Sequence, residues 1–473
     1  MATSSIDTKL PPLPDRQGWR STYAHPLIQT ALIALICFGC PGMFNALSGV
    51  GGGGQLDPKA ANDGNVALYS TFAVVGFFSG SIINKIGARL AFSIGASGYA
   101  LYMGSLLSLN INRNNDFVVA AGALLGVCAG LLWTAQGSLT LAYATEATKG
   151  RAFAFFWIIF NLGGVVGAAI ELGLTYDSSS NTVGNGVYIV FLTIGACACF
   201  LPLLLVNPAT MVRVDGTRVV VPVHPSWRNE IIGMYDLFRR DYWILFLVPF
   251  FVASNFTTAW QTNSFNGALF TLRTRSLNSL DFWLAQMFGA GLFGLAIDMK
   301  RFRRTSRAWG GLVFLLVLNI TVWGGSYHYQ KDYHRTPDGA SVPRIDLKRL
   351  AVWRPRKPRL NGPSQMTLAT ILADWLMGSL YSNAGDLARI VGIYKGIQSA
   401  AAAGAWRMDS VGTAYMTELA ATWAVCVVAL VCAVPVILFR LHDQDTEDPV
   451  VEAVLADSNS IASAGDEKKV AEV

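Results

Sequence analysis

GSIINKIGARLAF, from Gly80 to Phe92, returns in altered form as GLAIDMKRFRRTSR, from Gly294 to Arg307. Each stretch opens on a glycine, runs three residues to an amide or an acid (Asn84, Asp298), and then turns basic. The basic residues are Lys85 and Arg89 in the first and Lys300, Arg301, Arg303 and Arg304 in the second. Each lies between two long apolar runs. A turn this short needs Gly87, which bends without a Cβ clash. The positive charges suit the C-terminal end of the helix before it. One copy alone reads as a plain basic turn. Two copies at matching places in two sets of apolar runs mark an internal repeat. A weaker echo links Arg151, opening the fifth run, with Arg389, opening the eleventh, and Glu146 lies just before Arg151. Gly80, Asn84, Lys85, Gly87, Arg89, Glu146, Arg151, Asp298 and Lys300 are therefore the candidate cytoplasmic gate.

A membrane-crossing helix needs about 20 mostly apolar residues. The runs lie near 27–48, 65–86, 90–109, 117–143, 152–174 and 186–206, and then near 242–263, 279–298, 308–328, 363–381, 387–406 and 413–439. The run at 363–381 is weak. The expected fold is an all-α membrane protein of about 12 transmembrane helices in two six-helix bundles. Segment 1–24 is a cytoplasmic N-terminal stretch, 25–206 the first bundle, 207–240 a cytoplasmic linker, 241–440 the second bundle and 441–473 an acidic tail expected to be disordered. The first 24 residues hold no signal-peptide apolar region, so the first run is expected to act as its own insertion signal.

Composition agrees. The 473 residues are 52% hydrophobic and 14% charged, where a soluble protein carries roughly 25% charge. A soluble enzyme is excluded on this reading. The seven cysteines all lie in apolar runs, where a thiol behaves as a small hydrophobe. No catalytic triad, metal cluster or nucleotide site is legible, and no cofactor is expected. GVGGGGQ (Gly49–Gln55) lacks the strand before it and the Lys-Ser/Thr after it that a phosphate loop needs. With the N-terminus cytoplasmic, nineteen Lys and Arg fall on the inner side and five on the outer, once 329–374 is set aside. That is the bias of cytoplasmic loops.

Four further stretches carry a resemblance. They are CFGCPGMFNALSGVGGGGQ (Cys37–Gln55), FTLRTRSLN (Phe270–Asn278), WLMGSL (Trp375–Leu380) and YKGIQSAAAAGAWRMD (Tyr394–Asp409). GSIINKIGAR resembles the loop signature of the major facilitator superfamily, with Asn84 where an acid is common. The other four resemble its fungal uncoordinated-ninety-three-like branch. The resemblance covers nearly all of the membrane part. It implies the twelve-helix facilitator fold. Animal members are better known as ion-channel regulators or receptor-trafficking partners, and fungal members are mostly inferred transporters.

RLAVWRPRKPRLNGPSQ (Arg349–Gln365) opposes this pattern. Nine basic and three acidic residues between Lys331 and Gly362 hold the whole formal excess of +6. That excess therefore gives no support to a nucleic-acid partner. The resemblance implies an aromatic–Gly–Gly/Pro stretch and an aromatic-rich helix between Ile345-Asp346 and the WLMG motif. Read one base later, one permitted codon set for Arg349–Arg359 gives such a stretch. The segment 329–374 is thus read as containing a frame or splice error. As written, the tenth run is barely long enough and carries Asp374, which costs several kcal/mol in lipid without a partner.

Ionisable and amide groups inside the runs are the candidate site. Lys395 and Gln398 share one turn of the eleventh run, and Lys395 reads either as a counter-charge for an anionic substrate or as half of a structural pair. Glu171, near the outer end of the fifth run, reads either as a coupling-proton carrier or as a carboxylate that snorkels to the interface. Asn45, Gln136, Asn161, Asn255 and Gln261 are candidates to line a substrate path. The expected function is secondary transport by alternating access. The alternative is a non-transporting regulator or trafficking partner of another membrane protein, favoured by the scarcity of buried carboxylates. Sequencing cDNA across the codons for Tyr329 to Asn383 is expected to return an aromatic-rich helix in place of Arg349–Gln365. A message that encodes the stretch as written makes the basic outer loop genuine.

Overall fold

Helices dominate because lipid offers no partner to a backbone N–H or C=O, so each segment must satisfy its own. The computed structural model describes residues 18–55, 57–145, 149–178, 180–219, 227–297, 299, 301–336, 339–346, 380 and 384–441. The expected terminal segments at 1–17 and 442–473, the anomalous stretch from 347 to 374, and all of the run at 363–381 except Leu380 lie outside them. So do Glu146, Asp298 and Lys300.

After a short α1 (Trp19–Tyr23), the first half comprises α2 (Pro26–Cys37) and α3 (Met43–Gly49) in one arm. It continues with α4 (Lys59–Ile86), α5 (Ala88–Asn112), α6 (Asn115–Tyr143), α7 (Lys149–Thr175) and α8 (Asn185–Ala198). A linker helix, α9 (Trp227–Arg240), follows. The second half comprises α10 (Ile244–Phe256), α11 (Leu272–Ile297), α12 (Arg304–Gln330), α13 (Ala384–Ser410) and α14 (Tyr415–Pro435). Among the described residues, nine helical runs are long and apolar enough to cross a membrane. Helices α11 and α13 match them in length but carry charges. Each half has its own apolar core, one around Ile33, Phe92, Leu132, Phe156 and Phe191, the other around Leu247, Phe251, Leu315, Ile390 and Ala433. Residues Leu237, Met234 and Phe238 seat α9 on the second core.

The repeat is visible in the backbone. The first arm of each half widens into a π-helical turn, Phe38–Gly42 in one and Trp260–Gly267 in the other. Pro41 lies in the first of these, where its missing N–H breaks the ladder between α2 and α3. The halves meet along α4 with α13 and along α7 with α11.

Glycines set the closest approaches. A Cβ on Gly122 would lie 3.0 Å from the Gly64 Cα, and one on Gly126 would lie 2.9 Å from the Phe72 nitrogen, so the α6 stripe is what seats α4. A Cβ on Gly163 would lie 2.9 Å from the Phe38 Cα at the first wide turn. Gly76 differs, since a Cβ there would meet only Phe72 of its own helix, at 3.8 Å.

Two starts fall six or seven residues earlier than expected. Helix α4 begins at Lys59 instead of 65, and α11 at Leu272 instead of 279. The extra turns hold Asn62, Asp63, Arg273 and Arg275, polar residues that hydropathy reads as loop. Arg273, Arg275 and Arg407 are therefore helical, not loop charges. The end of the molecule carrying these turns is called the network face, and the end carrying the α4–α5 turn the Gly87 face. Gly122→Val is expected to lower stability by about 1–3 kcal/mol through overpacking, and Gly76→Ala to leave it nearly unchanged. Thermal unfolding of the purified chain checks the contrast.

Candidate functional site

At the network face, polar side chains from both halves close on one another. The Asp409 Oδ2, at the end of α13, accepts 2.6 Å hydrogen bonds from the amide nitrogens of Asn62 on α4 and Asn263 in the second wide turn. Asn263 also donates to the Asn62 Oδ1 (2.7 Å) and accepts from the Gly52 N–H (2.7 Å). The other Asp409 oxygen pairs with Arg335, whose same nitrogen lies 3.0 Å from the Glu418 Oε1 on α14. Ser264 donates to the second Glu418 oxygen. Asp409 and Glu418 are only 3% and 4% exposed. A buried pair of like charges at this spacing is tolerable only with a shared cation and saturated oxygens, and Arg335 with the amides supplies both.

Arg335 arrives on a strap. Residues Arg335–Thr336 and Gly339–Ala340 pair as a small hairpin. The Tyr333 hydroxyl donates to the Ser264 carbonyl (2.8 Å), and the Ile345 N–H donates to the Leu269 carbonyl (2.7 Å). Asp346 pairs with Arg273 at 3.3 Å. The Arg335 guanidinium also lies 4.2 Å from the Tyr415 ring centroid. Burial works against its charge, but Asp409 and Glu418 more than offset that and hold it above the usual arginine range.

A second clasp lies beside the first. Arg275, 3% exposed, donates to the carbonyls of Val50 (2.6 Å), Gly51 (2.7 Å) and Asn181 (3.3 Å), all in the first half. Asn266 donates to the Gly49 carbonyl at 2.9 Å. The loop can receive these donors because Gly51, Gly52, Gly53 and Gly54 all have positive φ, which only glycine adopts freely. Ser410 donates to Asp63, completing the crossing from α13 to α4.

The expected path residues separate into groups. In the second half, Lys395 donates to the Gln398 Oε1 (3.0 Å) and lies 4.9 Å from the Tyr394 ring centroid. Gln398 in turn donates to Ser254 and to the Tyr394 hydroxyl, each at 3.0 Å. Lys395 is half-buried. Asn255 is half-buried on α10, and Gln261 is buried in the wide turn. In the first half, Gln136 donates to Thr140 (3.2 Å) and Asn161 to the Trp157 carbonyl (2.9 Å), both within their own helices. Asn45 is half-buried on α3. Trp133, one turn before Gln136, donates to the Tyr99 hydroxyl (3.2 Å) and packs edge-on to Phe160.

At the Gly87 face, Asn84, Lys85, Gly87, Arg89 and Arg151 are exposed and Gly80 is half-buried. Gly87 caps α4 with φ 80°, its N–H donating to the Ile83 carbonyl at 2.8 Å. Glu171 is fully buried, so the snorkelling expectation fails: the α7–α11 contact covers it before it can reach an interface. The expected scarcity of buried carboxylates fails too: Asp409 and Glu418 are both buried, Asp409 lying between two of the expected runs and Glu418 in the first turns of the last. The signal for Asp409 was present, since it closes the stretch Tyr394–Asp409.

The chain is similar to known proteins in sequence and in fold. The family model described as "Ion channel regulatory protein UNC-93" matches residues 53–322. An UNC93-like protein of Schizosaccharomyces pombe is 40% identical over 438 residues, covering 90% of this chain and 86% of that protein. UNC93-like protein 1 of Arabidopsis thaliana is 37% identical over 448 residues, covering 91% and 94%. A crystal structure of a D-xylose-proton symporter superposes with a TM-score of 0.56 at 12% identity, covering 89% of this chain and 98% of that one. The fold is the major facilitator fold.

Arg335→Gln leaves two buried carboxylates without their cation and is expected to cost about 3 kcal/mol. Adding Asp409→Asn removes one stranded charge and is expected to recover part of that loss. Unfolding midpoints of the single and double variants check the coupling; strictly additive losses contradict it.

Proposed function

The chain belongs to the UNC-93 family, and from that premise we propose that it is a secondary transporter of a small molecule, working by alternating access. The carrying observation is the asymmetry of the two faces. The network face is closed by polar contacts between the halves, while Lys85, Gly87 and Arg89 of the first basic turn stand exposed at the Gly87 face. In alternating access, one such face parts as the other closes around a site near the middle.

The excess of Lys and Arg near Lys85–Arg89, in the linker and at Arg301–Arg307 makes the Gly87 face cytoplasmic. On this reading both termini lie in the cytoplasm and the network face is the outer one, closed in the present state. Lys395 and Gln398, with Tyr394 and Ser254, form the polar part of the path in the second half. Gln136, Asn45 and the Trp133 cluster form its counterpart in the first. The positive charge of Lys395 beside the Gln398 amide supports a substrate with an anionic or acceptor group. Lys85 and Arg89 would engage the second half only when the cytoplasmic face closes.

A second reading has its own support. The matching family model is described as ion channel regulatory, which fits a chain that escorts or modulates another membrane protein. The two readings part on flux. Proteoliposomes holding the full chain and loaded with a deproteinised cell extract are expected to lose at least one compound, and Lys395→Ala to abolish that loss. Unchanged contents with both forms, together with copurification of another membrane protein, would establish the regulatory reading instead. Arg89→Ala is expected to shift the balance between the two faces, read from the accessibility of cysteine probes on each side; unchanged accessibility on both sides contradicts the gate role.

A further inference from the structure

Glu171 lies one turn before the end of α7, where the halves pack α7 against α11 beneath the network face. It is 0% exposed, and neither carboxylate oxygen has a hydrogen-bond partner among the described residues. The cation whose field reaches it, Arg275, spends all three of its guanidinium nitrogens on the carbonyls of Val50, Gly51 and Asn181. An ionised carboxylate in that setting is strongly disfavoured, and such a group takes up a proton instead.

The surroundings offer little other charge. Helix α11 presents Arg275 and, further along, Arg273 and Asp281. Helix α8 presents the Tyr188 hydroxyl, which donates to the Gly53 carbonyl. The α2–α3 arm has only the thiols of Cys37 and Cys40. Helix α6 has Asp116 and Tyr143 at its ends and the Cys128 thiol between them.

We propose that Glu171 is a proton-binding site that governs the network face: the face seals over the protonated acid and parts when the acid ionises. The step is a plain proton exchange with water. While the face is open, water reaches Glu171 and the carboxylate form persists. As α11 closes on α7, Arg275 enters its three carbonyls, water leaves, and Glu171 keeps the proton it has taken from solution. On opening, the proton returns to the same solution. A proton that enters and leaves by one face sets the opening without being carried across, which distinguishes this role from a coupling role.

The sign is specific. Acid strengthens the seal through Glu171. Protonating Glu418 removes a partner of Arg335 and so weakens the seal. Glu171 and Glu418 therefore push in opposite directions.

Hydrogen–deuterium exchange on the full chain tests this without requiring a substrate, so its outcome does not depend on the transport reading. The reporters are the amides of Gly51–Gln55 and Val183. The Gly52 N–H donates to Asn263, and the Val183 N–H donates to the Gly54 carbonyl at 2.8 Å. After correction for the intrinsic pH dependence of exchange, their protection is expected to rise on going from pH 8 to pH 6. The limit for a single proton is about tenfold per pH unit. Glu171→Gln is expected to hold the protection high at both pH values, and Glu171→Asp to keep the pH response, which shows that the response is not a matter of misfolding. Protection that does not change with pH in the unaltered chain, or a full pH response in Glu171→Gln, overturns the proposal. Protection that falls on acidification assigns the pH response to the Arg335–Glu418 pair and overturns it equally.

Discussion

A buried carboxylate keeps its charge only if partners replace the water it has lost, and Asp409 finds its partners in both halves of the bundle. Asn62 comes from the first half, Asn263 from the wide turn of the second, and Arg335 from the strap between α12 and the segment beyond it. No one of these elements satisfies the acid alone. Once the halves close and exclude water, the wide turn must present Asn263 and the strap must be laid across for the charge at the end of α13 to be tolerable. The state seen here follows from that requirement.

The same constraint explains why the two faces differ. Apolar packing ties each half to itself, around separate cores. Between the halves, α4 with α13 and α7 with α11 supply the long contacts, eased by Gly164 and Gly396, where a Cβ would press on Trp283 and Phe77. At the closed end the polar network lies beside a small apolar cluster in which Ala402, Ala405 and Trp406 meet Val66 and Tyr69 of the first half. Each donor and acceptor there has water as an alternative partner, so opening exchanges one set of hydrogen bonds for another at modest net cost. At the Gly87 face Lys85, Arg89 and Arg151 stand exposed.

The backbone plan was legible in the sequence, because the bilayer enforces apolar runs of fixed length and the two basic turns exposed the repeat. The closed face was not legible. Asn62, Arg273, Arg275, Asp409 and Glu418 all sit in the last or first turns of membrane helices, where a polar residue looks the same whether it meets water or the opposite half. Arg335 was counted among the positives that oppose the sidedness rule, yet two carboxylates neutralise it where it stands. Glu171 erred in the other direction. A lone acid near a helix end is ordinarily a candidate to reach the interface, and only the position of α11 shows that its way is blocked. Lys395 and Gln398 were found together because they share one helix turn. Their link to Ser254 on α10 required the fold.

The central claim is that closure of the network face is one of two states through which a small molecule passes. Asp63 and Ser410 touch across that closure, one from each half. A disulfide between Asp63→Cys and Ser410→Cys would hold the face shut. In proteoliposomes loaded with a deproteinised cell extract, the reduced double variant is predicted to release at least one compound, and the oxidised form to release none until reductant is added. The same loss from both forms would contradict the account.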